Sequence, residues 1–227
     1  MKHRVIWVLF ACLPLLAAGA EATRQDFSKV IASKPDLNHG AELFEQCKAC
    51  HGPDGGGTPE GAVPRIAGQH YRVLVRQIVD FRHGTRWNFR MEGVATSHNV
   101  LPELQDIADV AAYVSKLASD GTRGVGDGQY VERGTAVYKT QCADCHGDAG
   151  EGDDAKGVPR IAGQHAGYLM RQIYDAVDGR RPPLTRSHAK RFEPLVFEDV
   201  LGLGDYIARL GWNAGGAPAP TPGSPAH

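Results

Sequence analysis

The pentapeptide Cys47-Lys48-Ala49-Cys50-His51 returns as Cys142-Ala143-Asp144-Cys145-His146. This doubled motif constrains the chain more than any other feature. Cys-x-x-Cys-His is the attachment sequence of a c-type haem. Two thiols three residues apart lie on one face of a helical turn, where both reach vinyl groups of one porphyrin. The histidine that follows turns its imidazole to the iron as the proximal ligand. Two copies call for two covalently bound haems, attached at Cys47, Cys50, Cys142 and Cys145, with His51 and His146 on the irons.

The motifs belong to a longer duplication. Val63-Pro64-Arg65-Ile66-Ala67-Gly68-Gln69-His70 recurs unchanged as Val158-Pro159-Arg160-Ile161-Ala162-Gly163-Gln164-His165, at the same offset of 95 residues. Leu74, Arg76-Gln77-Ile78 and Asp80 are echoed by Leu169, Arg171-Gln172-Ile173 and Asp175. Each half opens with a helix running into its haem motif and closes with an amphipathic helix, over residues 104–117 and 196–210, whose apolar positions recur at helical spacing. Gly40 then Phe44, and Gly134 then Tyr138, suit close crossings against the terminal helices, which places Phe44 near Tyr113 and Tyr138 near Tyr206. The fold class is therefore all-α, in two domains over residues 35–118 and 128–212. Residues 119–127, rich in Gly and Asp, read as a linker, and the Gly/Pro/Ala/Ser stretch at 213–227 as a disordered tail.

The N-terminus reads as an export leader. Lys2 and Arg4 precede a short apolar run, and Ala18-Gly19-Ala20 offers a small-residue cleavage site, so residues 1–20 are expected to be removed. Cys12 falls in the leader, which leaves four cysteines, all in haem motifs, and none for a disulfide. The expected compartment is the periplasm, with no integral membrane span after cleavage. The chain has 25 Lys plus Arg against 26 Asp plus Glu, two of the basic residues lying in the leader. That balance gives no basic footprint for nucleic acid.

Helix, Cys-x-x-Cys-His, Pro-containing loop, helix, ligand loop and helix, used twice, resembles the cytochrome c4 family of periplasmic two-haem proteins. The Pro-Arg-Ile-Ala-Gly-Gln stretch is similar to that family's Pro-x-Leu-Ala-Gly-Gln. The resemblance spans about residues 35–211. It implies two class I cytochrome c domains, with the carbonyls of Pro64 and Pro159 accepting hydrogen bonds from the proximal imidazoles. Arg65 and Arg160 are candidates to meet haem propionates, with solvated loop arginines as the alternative. His70 and His165 read as helix-entry or surface residues rather than ligands.

The family places a methionine in the loop before its terminal helix. In the first half that is Met91, with His98 in competition because the loop is longer than usual. The second half has only Met170, which aligns with Val75 inside a helix and reads as packing. Counting back from Tyr206 puts the family's methionine position on His188, so the second iron is expected to carry His146 and His188, the alternatives being a surface His188 with an open iron or ligation by another residue. An imidazole donates more strongly than a thioether and favours Fe(III), which gives the second haem the lower potential. The resemblance implies a carrier of single electrons between a membrane-bound or periplasmic donor and another redox protein. Two alternatives stand beside it: a thiosulfate- or peroxide-type oxidoreductase working at a labile second haem, and a dedicated cytochrome subunit of a dehydrogenase.

Overall fold

The computed structural model describes the backbone of residues 6–118, 124–181 and 186–211, and side chains from residue 19 onward apart from those of residues 186, 187 and 189. The tail at 213–227, part of the linker and the leader's side chains up to residue 18 lie outside these residues. Ten helices and no strand occur among the described residues, with one isolated bridge between Asp153 and Val158. They are α1 (Ile6–Ala32), α2 (Leu37–His51), α3 (Tyr71–Arg82), α4 (Phe89–Ala95) and α5 (Leu104–Lys116), then α6 (Val131–Gln141), α7 (Ala143–His146), α8 (Ala166–Val177), α9 (Arg186–Phe192) and α10 (Phe197–Arg209). None of the described helices is long and apolar enough to cross a membrane.

Each half is built on one tight crossing. Helix α2 meets α5, and α6 meets α10. A Cβ on Gly40 would stand 2.2 Å from the Asp109 carbonyl oxygen, and one on Gly134 would stand 2.0 Å from the Gly202 carbonyl. Only glycine allows backbones this close. The aromatic one turn further on fills the space beside each crossing. Phe44 lies 5.6 Å from Tyr113 and Tyr138 lies 5.3 Å from Tyr206, ring centroid to centroid. Tilted pairs at such distances are favourable beyond their buried area. The terminal helices start alike, because the backbone N–H of Glu103 donates to Asp106 at 2.7 Å and that of Val196 to Asp199 at 3.0 Å.

The first half has an extra layer ahead of Pro35. The C-terminal part of α1 packs on α3 and α5, with Val30 fully buried in the first core. The Phe27 ring lies under the guanidinium of Arg76 at 3.9 Å, and His83 pairs with Asp26 at 2.9 Å. The packed unit therefore reaches upstream into α1. The docked side chains Phe27, Val30 and Ile31 are a few apolar residues in an otherwise polar stretch beyond the leader, too few to show a helical face, so this docking was not legible in the sequence.

The halves are joined by a reciprocal clamp built from the repeated octapeptide. The Gln69 amide donates to the Arg160 carbonyl at 2.8 Å and accepts from the Arg160 N–H at 2.9 Å. Gln164 does the same to Arg65, donating at 2.8 Å and accepting at 3.0 Å. A primary amide matches a peptide group donor for acceptor, so each glutamine extends the other half's loop as a paired strand would. The flanking histidines cross too. His70 Nε2 bonds the Glu151 carbonyl at 2.8 Å, and His165 Nε2 bonds the Gly56 carbonyl at 2.7 Å. Gly56 and Glu151 are themselves 95 residues apart, so the contacts are related by the same internal symmetry.

Candidate functional site

Each haem motif sits where a helix ends against a glycine. Gly52 and Gly147 follow His51 and His146 with φ of 79° and 82°, and the chain then turns back over the histidine. This return brings the repeat loop to the imidazole. His51 Nδ1 donates to the Pro64 carbonyl and His146 Nδ1 to the Pro159 carbonyl, both at 3.0 Å. With Nδ1 so engaged, Nε2 is the nitrogen available to a metal, and the bond fixes the ring's tautomer and orientation. Both histidines are nearly buried, at 7% and 8% exposure. Burial pushes both below the ordinary histidine range, which favours the neutral ring that ligates.

Cys47 and Cys142 pack against the two apolar cores, while Cys50 and Cys145 face outward. Burial raises the Cys47 and Cys142 thiols to about 11. One thiol in each pair thus lines the interior and the other the rim, as attachment to one porphyrin edge requires.

The expected sixth ligands lie on helices, where a loop was anticipated. Met91 is the third residue of α4, and His188 is the third residue of α9. The two helices have seven residues each and precede α5 and α10, so the residues are positional equivalents. Asn88 caps α4, accepting from the Met91 N–H at 3.1 Å. The half-buried Met91 contrasts with His98, which is exposed beyond the end of α4. In the second half the His146 and His188 rings stand 6.1 Å apart between centroids, inclined at 39°. Two imidazoles bound through nitrogen at about 2 Å on opposite sides of one metal would have their centroids about 6 Å apart. Phe192 backs the His188 ring at 4.9 Å. His188 is pushed down to about 4, by burial first and then by His146, Arg181 and Arg191. Met170 packs against the second core, as its helical position suggested.

Arg65 is only 2% exposed, and Arg160 is half-buried. What the clamp holds is their peptide groups. His70 and His165 stand at helix entries ahead of α3 and α8, but His165 is fully buried rather than at the surface, and both rings reach across the interface. The signal was present: the octapeptide that recurs unchanged in two otherwise divergent halves ends in the polar pair Gln-His.

Two covalent attachment motifs, each with a buried imidazole aimed by a proline carbonyl and each within its own helical wrap, define a two-haem c-type cytochrome. The model of the cytochrome c family matches residues 37–118 and 131–195. Cytochrome c4 of Azotobacter vinelandii is 33% identical over 186 residues, covering 72% of this chain and 84% of that protein. A thiosulfate dehydrogenase electron acceptor of Stutzerimonas stutzeri is 29% identical over 177 residues, covering 73% of this chain and 79% of its own. The crystal structure of reduced recombinant cytochrome c4 from Pseudomonas stutzeri superposes with a TM-score of 0.68 at 29% identity, covering 78% of this chain and all of that one. The chain belongs to the cytochrome c4 family. Its fold is a tandem pair of class I cytochrome c domains, and it carries two covalently bound c-type haems.

Proposed function

We propose that this protein is a periplasmic carrier of single electrons between redox proteins, with His51 and Met91 on the first iron and His146 and His188 on the second. The membership of the family supports electron transfer by two haems. The observation that carries the ligand assignment is the 6.1 Å pairing of His146 with His188, on a helix equivalent to the one bearing Met91. Each haem supplies one-electron exchange between Fe(III) and Fe(II). The protein's part is to hold both axial positions, so that no site is left for substrate and little changes shape when the electron moves. The thioether of Met91 stabilises the reduced iron, and the imidazole of His188 stabilises the oxidised one. The second haem thus lies at the lower potential, and an electron entering there runs downhill to the first. A potentiometric titration followed by ligand-sensitive spectroscopy tests this. Two steps, the lower one carrying a bis-histidine spectrum, are expected, and a His/Met spectrum at both haems would overturn the assignment.

A narrower reading of the partner rests on the likeness to the thiosulfate dehydrogenase electron acceptor. In that reading the donor is an enzyme that oxidises an inorganic sulfur anion, and this chain receives the electrons. Mixing the oxidised cytochrome with such a dehydrogenase and thiosulfate should reduce both haems rapidly, whereas thiosulfate alone should not. Reduction by thiosulfate without the enzyme would instead favour the oxidoreductase alternative, with carbon monoxide binding at the second haem as its companion sign.

A further inference from the structure

Helix α3 carries Arg72 and Arg76 one turn apart, so their side chains share a face. Like charges at that spacing cost stability unless a counter-charge stands beside them. Among the described residues neither guanidinium pairs with a carboxylate. Each lies instead over the Phe27 ring, Arg72 at 5.6 Å and Arg76 at 3.9 Å from its centroid. A ring face attracts a cation but cancels no charge. Arg76 also acts on the buried Asp80, yet that one carboxylate faces Arg86 and Arg181 as well.

A cleft of about 180 Å³ opens beside the two arginines, between the halves. Phe27, Arg72 and Arg76 line it from the first half, and Ala155, Lys156 and Gly157 line it from the loop that returns from the second haem motif. Asp154 fixes that loop against α3, accepting the Arg72 backbone N–H at 3.0 Å. Lys156 is offset by Asp153 at 2.9 Å. The charge brought to the cleft without a counter-ion is therefore that of the two guanidiniums. Both arginines are half-buried, and the ring beneath them restrains their planes. Restraint of this kind removes part of the ordering cost of binding. A planar guanidinium offers paired N–H donors that match two oxygens of an oxyanion.

We propose that this cleft binds a small inorganic oxyanion of the sulfate type, held by the guanidiniums of Arg72 and Arg76 with the ammonium of Lys156 closing the site from the other half. The bound anion relieves the repulsion between the two arginines. It also bridges α3 to the second-half loop, so that binding fastens one half to the other. The site uses none of the residues that attach or ligate the haems, and the inference is independent of which residues complete the irons. Phe27 lies beyond the expected cleavage site, so the mature chain keeps the whole site.

Isothermal titration calorimetry on the oxidised two-haem protein tests this, with sodium sulfate as the probe and ionic strength held constant by sodium chloride. One sulfate per chain is expected. Arg72→Gln and Arg76→Gln should each weaken binding about tenfold, the scale of a charged hydrogen bond. Lys156→Gln should weaken it several-fold. Lys139→Gln, which removes an exposed charge outside the cleft lining, should leave it unchanged. Nitrate, with a single charge, should bind at least tenfold more weakly than sulfate. Hydrogen phosphate carries the same chemistry as sulfate, and the ratio of the two affinities tells a sulfur-oxyanion site from a phosphate site. The melting midpoint should rise with sulfate in the wild type and stay nearly still in the Arg72→Gln/Arg76→Gln double variant, as mass action requires. No heat of binding, affinity equal in wild type and double variant, an equal loss in Lys139→Gln, or nitrate binding as tightly as sulfate would overturn the proposal. Should the arginine variants fail to fold, Lys156→Gln on its exposed loop decides alone.

Discussion

The imidazoles of His146 and His188 face each other at 6.1 Å across the interior of the second half, one held by the Pro159 carbonyl and the other backed by Phe192. Replacing His188 by Met should raise the lower of the two potentials and leave the upper nearly unmoved, because the two irons lie in separate helical wraps. Replacing it by Ala should open the second iron to carbon monoxide or cyanide. Unchanged potential and ligand binding in His188→Ala would refute the assignment.

Met91 stands at the equivalent place in the first half. Oxidised His/Met cytochromes show a weak far-red sulfur-to-iron charge-transfer band. The band should vanish in Met91→Ala and persist in His98→Ala, since His98 is exposed past the end of α4. The opposite pattern would transfer the ligand to His98.

The crossing of α6 and α10 at Gly134 leaves no room for a side chain. Gly134→Val should destabilise the second half by about 1–3 kcal/mol, the usual cost of overpacking. Differential scanning calorimetry should show this as an earlier melting of one half. An unchanged thermogram would mean that the helices can separate there without loss.

His165 is fully buried at the interface and accepts from the Gly124 N–H at Nδ1, so its Nε2 carries the proton donated to Gly56. Burial lowers its pKa below the ordinary value. The folded protein thus binds fewer protons here than the unfolded chain, and stability rises with pH through the window below the unfolded value of about 6.5. Stability should fall as pH drops from about 7 to about 5, and the slope should flatten in His165→Gln. An equal slope in both proteins would assign the acid loss to other groups.

The helix α1 runs without a break through the expected cleavage site. Cleavage after Ala20 should leave a mature chain beginning at Glu21, whose remaining helix keeps Phe27 under Arg76 and Val30 in the core. Mass spectrometry of the exported protein should give that N-terminus with two haem additions. Retention of Met1 would refute the cleavage.

How much of this was legible in the residues varies with the range of the interaction. The helices beside Gly40 and Gly134, and the ring pairs Phe44–Tyr113 and Tyr138–Tyr206, were readable because helical period and a glycine four residues before an aromatic are local patterns with one good packing solution. The proline carbonyls followed from the family's resemblance and stand where it implied. The short helices α4 and α9 were taken for loop because seven residues carry too little periodicity to be seen. The docking of α1 on α3 was invisible because its anchors Phe27, Val30 and Ile31 are few apolar residues in an otherwise polar stretch.

The number of haems and their attachment points were determined by the sequence alone, because a covalent motif of five residues needs no tertiary context to be read. The same holds for the twofold repetition, since identical octapeptides at one offset admit no other origin. Only the tertiary structure decided where Gln69, Gln164, His70 and His165 point. Those contacts join residues some 80 to 110 positions apart, and such pairings depend on how two finished domains dock, a matter of surface complementarity that no local pattern encodes.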